Sequence, residues 1–88
     1  MPYIAHDQRT LLEPELSRMC ELLSGAGIGC VNYAFTRVLL ARGLNSYSQI
    51  NEAMGVLECV KAELYRRKAA LLEDQKMIIN GDVEGMQG

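Results

Sequence analysis

The sequence predicts an all-α protein, with two short helices packed on one long C-terminal helix and the whole assembled as a helical-bundle homo-oligomer. Three observations predict it. Ile50, Leu57, Leu64, Leu71 and Ile78 recur at seven-residue intervals on a stretch without proline, the pattern of one long helix that needs a partner surface along most of its length. Leu16, Met19, Cys20 and Leu23, and later Val31, Ala34, Phe35, Val38 and Leu39, show the three-and-four spacing of shorter amphipathic helices. Finally, 88 residues make one small domain, expected over 1–84 with a disordered tail at 85–88. A chain of this size buries only about 60% of the surface that its unfolded form exposes, so its own core is marginal.

The elements follow in order. Pro2 to Ala5 should be extended, with Asp7 capping a short turn through Arg9 to Leu12. Pro14 suits the first turn of a helix, and Ser24-Gly25 ends it. Gly25-Ala26-Gly27-Ile28-Gly29 reads as a flexible connector, after which a second helix begins near Val31, runs to Arg42 and stops at Gly43. Ser46 and Gln49 have the spacing of a capping box in front of a helix from Tyr47 to Ile79. That helix would be roughly 45 to 50 Å long, more than one chain of this size covers, and its exposed half calls for further copies. A second heptad column, Ala53, Val60, Arg67 and Asp74, is apolar early and charged late. Arg67 therefore needs a polar partner across the seam, unless the helix ends splay and it pairs with Glu63 on its own helix.

Composition narrows the function. The formal net charge is -2, which disfavours a general nucleic-acid coat held by counterion release. No apolar run approaches the roughly 18 residues needed to cross a bilayer, and the opening residues lack the basic start of a secretory signal. A cytoplasmic protein is expected. Cys20, Cys30 and Cys59 are odd in number and widely spaced among apolar neighbours, so they read as reduced core residues.

Catalytic and metal sites find little support. The eleven acids include no pair three or four positions apart, which a helical-bundle metal hydrolase needs to hold its cations. His6 is the only histidine, and no zinc-ligand spacing surrounds it. The expected reading has no catalytic residue, no metal and no cofactor.

What remains is anion binding. Lys61, Arg66, Arg67 and Lys68 fall within eight positions with Glu63 as the one acid among them. Arginine forks grip phosphate in a bidentate way, and tyrosine offers a face for a base to stack on. Successive residues on a helix point about 100° apart, so an intersubunit pocket is one way to bring Tyr65, Arg66 and Arg67 onto one ligand. A solvated basic face is the other reading. The amides at the start of the second helix can also receive an anion, with Asn32, Tyr33 and Arg37 just inside it, although a plain interhelical turn explains those glycines equally well.

Gly55-Val56-Leu57-Glu58-Cys59, Glu63-Leu64-Tyr65-Arg66-Arg67 and Asn80-Gly81-Asp82-Val83, together with Pro2-Tyr3-Ile4, Asn32-Tyr33, Arg37, Ser46-Tyr47 and Asn51, carry a resemblance across nearly the whole chain. It resembles a family of small, largely phage-encoded proteins of unassigned function. Those proteins commonly have Pro-Tyr where this sequence has Leu71-Leu72, a departure that bears on the helix beyond Ala70, and an aromatic where it has Glu84. The resemblance implies a phage or prophage origin and the cytoplasm of an infected bacterial host, without a mechanism. In size, charge placement and need to assemble, the chain is similar in kind to small phage proteins that sequester cyclic nucleotide signals. The leading expectation is thus a homo-oligomer that captures an anionic nucleotide without hydrolysing it. Arg66, Arg67 and Arg37 would hold phosphates, Tyr65 or Tyr33 would stack on a base, and Asn32 or Asn51 would read its edge. The alternative is a structural or interaction protein whose long helix docks a host or phage protein.

Overall fold

The computed structural model describes residues 2–87. The protein is all-helical, with three helices of which the last is long, and no strand occurs among the described residues. The first helix, α1, spans His6–Ser24, and α2 spans Ile28–Arg42. The long helix consists of α3 (Tyr47–Leu64), a π-helical turn (Tyr65–Ala69) and α4 (Ala70–Asn80). Backbone contacts group the described residues into two compact units, residues 2–54 and residues 55–87. Met1 and Gly88, the outermost residues of the expected domain and tail, lie outside the described residues.

Helix α1 starts eight residues earlier than the proline implied, and Pro14 sits inside it. An interior proline has no N–H for the carbonyl four residues back, here that of Thr10, and costs about 3 kcal/mol relative to alanine. The helix tolerates this because it is exposed around Thr10 and Pro14, so water reaches the orphaned carbonyl. At its far end the Ala26 amide donates to the Leu23 carbonyl at 3.1 Å. The glycine connector is shorter than expected. Gly27 caps α2, the Cys30 and Val31 amides donate back to its carbonyl at 3.0 and 3.4 Å, and Gly29 lies within the helix.

The junction between α2 and α3 follows the sequence closely. Gly43 adopts φ +102°, a left-handed conformation that side chains resist, and ends α2. The capping box forms, shifted by one residue: the Ser46 hydroxyl accepts the Gln49 amide at 3.2 Å, and the Gln49 side chain accepts the Asn45 amide at 2.8 Å. The Gln49 amide group lies so close to Gly43 that a Cβ there would meet it at 2.8 Å.

No described residue is buried. Cys20, Cys30 and Cys59 are therefore exposed free thiols rather than the core residues expected. The physical reason is general: amphipathic faces make a core only where a second face closes over them. Leu11, Leu12, Leu16 and Met19 on α1 and Leu57, Val60, Leu64 and Leu72 on the long helix remain exposed.

Candidate functional site

The basic run of the sequence falls on the π-helical turn. Tyr65, Arg66, Arg67, Lys68 and Ala69 form it, and the Ala70 amide closes the wide loop on the Tyr65 carbonyl. A π turn accommodates one more residue than an α turn, is poorer in energy, and is concentrated at functional positions in proteins. Its angular step is also smaller than the roughly 100° of an α-helix, so the cations fan out less widely than an α-helical reading implies.

That extra residue rotates everything after it by roughly one residue's worth, about 100°, and changes which side chains share a face. An open groove of about 640 Å³ runs along the helix over a floor of Leu57, Val60, Leu64, Ala69 and Leu72, with Lys61, Tyr65 and Lys68 completing its lining. Leu72 takes the place that the heptad pattern assigns to Leu71. In the second column Val60 is followed by Lys68 rather than Arg67, which relieves the difficulty of an arginine in the apolar seam.

Arg66 and Arg67 are not among the groove's lining residues. The Arg66 guanidinium forms an ion pair with Glu63, three residues earlier, and its side chain remains 68% exposed while that of Glu63 is 17% exposed. A pair open to water on one side contributes little to stability, on the order of 0–1 kcal/mol, and leaves the charge close to the surface. Lys61 sits 3.9 Å from Glu58, a looser pair with both partners solvated. Hydrogen bonding to the Glu73 carboxylate, followed by the negative charge of that group, holds the Tyr65 phenol above its ordinary pKa, so the ring is neutral at neutral pH.

The remaining expected site residues belong to the other unit. Asn32, Tyr33 and Arg37 are on α2 and Asn51 is on α3, within Pro2–Met54. Tyr33 and Arg37, four residues apart, share a helix face, and Tyr33 is exposed. Asn32 is engaged locally, its side-chain oxygen accepting the Thr36 hydroxyl at 3.3 Å and its carbonyl accepting it at 2.8 Å. The expected residues thus divide between the two units by position in the chain, with Tyr65, Arg66 and Arg67 on the π turn of one and Asn32, Tyr33, Arg37 and Asn51 on helices of the other. Sequence reasoning did not assign Lys61 and Lys68 to the apolar face. The available signal was the second heptad column itself, where charge replaces apolar residues immediately after Val60.

Among the described residues, no helix is long and apolar enough to cross a membrane, and no group of three His, Cys, Asp or Glu is placed to hold a metal ion. A family profile matches residues 1–83, and its description is a domain of unknown function, DUF6899. Comparison with curated proteins and with solved structures finds no match.

Proposed function

The chain belongs to the DUF6899 family, a domain of unknown function, and we propose that it is a homo-oligomeric phage-type protein that captures a small anionic nucleotide and holds it without hydrolysis. The observation that carries this reading is the coincidence of the π-helical turn with the basic run Arg66, Arg67 and Lys68. Arg66 and Arg67 grip phosphate, since charge-assisted forks are the strongest neutralisers of such groups. The neutral ring of Tyr65 stacks on the base. Arg37 and Tyr33 on α2 form a second anion-binding group, with Asn32 or Asn51 reading a base edge. A cyclic di- or trinucleotide, the kind of signal bacterial immune systems make, presents the phosphates and bases these residues suit, and the host cytoplasm is where it would be met.

The test is a thermal-shift screen of purified protein against cyclic di- and trinucleotides, followed by denaturation and mass analysis of what was bound. Intact ligand released from a stabilised protein supports sequestration. A degraded ligand identifies an enzyme instead. No shift across the panel sinks the nucleotide reading and favours the alternative, a long helix that docks a host or phage protein.

A further inference from the structure

We propose that α1 of a second copy fills the groove between Leu57 and Leu72. The groove supplies an apolar floor and two cations, Lys61 and Lys68, and no acid lines it. Helix α1 offers the complement. Leu12, Leu16, Met19 and Leu23 make one apolar face at spacings of four, three and four, and Glu13 and Glu15 fall on opposite edges of that face. Along the whole helix Asp7, Glu13, Glu15 and Glu21 outnumber Arg9 and Arg18. Lengths agree as well: the α1 face from Leu12 to Leu23 is roughly 17 Å long, and the groove from Leu57 to Leu72 roughly 22 Å. An amphipathic helix laid in an apolar groove is a recurring mode of recognition.

Surface area argues for a copy of the chain as the occupant. The structure leaves 8088 Å² accessible, whereas a self-contained folded chain of 9.8 kDa exposes roughly 5,200 Å². The surplus is several times the roughly 800 Å² per partner that a standard stable interface requires. Two copies that exchange α1 bury the same pair of surfaces twice, and the contact closes on itself as an isologous dimer.

This inference rests on the assembly contained in the proposed function. Its test contains no nucleotide, so failure here leaves ligand capture standing, and failure of capture leaves the contact standing. Light-scattering masses are compared for the full-length parent, a Leu16→Glu variant, a Leu64→Glu variant and their equimolar mixture, with circular dichroism confirming that each stays helical. The parent should be a dimer or larger, each variant monomeric, and the mixture should recover dimer through its one intact exchanged contact. If either variant loses its helix, Glu13→Lys with Glu15→Lys and Lys61→Glu with Lys68→Glu replace them. Each pair should then weaken assembly at least tenfold, and mixing the two should restore it. A monomeric parent would overturn the proposal, whether the groove takes its own α1 or a foreign protein. Assembly that survives Leu16→Glu but not Leu64→Glu would overturn it in favour of groove meeting groove, and a mixture that stays monomeric would also contradict it.

Discussion

Around a single turn of the long helix, Tyr65 and Lys68 border a floor of exposed leucine and valine, while Arg66, off that face, is held by Glu63. The two sides ask for different things. An apolar side chain gains about 1.5–3 kcal/mol when water is removed from it, so Leu57, Leu64 and Leu72 favour any surface that covers them. A guanidinium loses by burial unless an anion comes with it, so Arg66 and Arg67 favour a ligand at a wet rim. The π turn separates these demands: it carries the arginines off the seam and brings Leu72 onto it. Arg66 and Arg67 then lie off the apolar face, while Tyr65 and Lys68 stand on its border, where a covering surface and a bound anion would meet.

The sharpest way to break this comparison is to place a charge on each of two adjacent leucines. Leu72→Glu should abolish assembly, a loss of at least about 3 kcal/mol from lost burial and a desolvated carboxylate. Leu71→Glu should leave the light-scattering mass unchanged. A strict heptad helix predicts the reverse ranking. Deleting Arg67 is subtler, because removing one residue converts the π turn to an α turn while keeping Leu72 in line with Leu64. Assembly should persist by mass, whereas nucleotide affinity should fall by about 1.5–3 kcal/mol for the lost charge-assisted bond, read by titration calorimetry.

Smaller effects test the supports on either side. Gly43→Ala forces a side chain into φ +102° and onto the Gln49 amide group, and should cost about 1 kcal/mol or somewhat more in thermal unfolding monitored by circular dichroism. The least effect is expected at Tyr65. Its folded pKa lies above 10.0 because hydrogen bonding to Glu73 and then the charge of Glu73 favour the neutral phenol. Its contribution is fully present below the unfolded value and disappears as pH rises through the folded one. Glu73→Gln should move the phenol's ultraviolet titration to lower pH, with little change in stability at neutral pH.

Much of the fold was legible because local signals coincide there with helix ends. Gly43 and the Ser46–Gln49 cap locate the start of α3, and Gly81, at φ +88°, marks the end of α4. The start of α1 was hidden because Pro14 is a good first-turn residue, and nothing nearby shows that an exposed helix will accommodate it internally. The π turn was hidden for a different reason: with leucine at both 71 and 72, the apolar stripe continues whether or not one extra residue is inserted before it, so the spacings do not report the insertion. The site was half legible. Charge clustering picks out Arg66 and Arg67 directly, but the membership of Lys61, Lys68 and Leu72 in the groove depends on the register that the π turn sets.

The central claim is that Arg66 and Arg67 hold an anionic nucleotide while the groove holds the copies together. Titration calorimetry of the parent and of an Arg66→Ala, Arg67→Ala variant with the cyclic dinucleotide giving the largest thermal shift tests it most directly. Saturable binding to the parent, binding lost by the variant, and an unchanged assembly mass for both are expected. Undiminished binding by the variant, or a variant that loses its assembly along with its ligand, would contradict it.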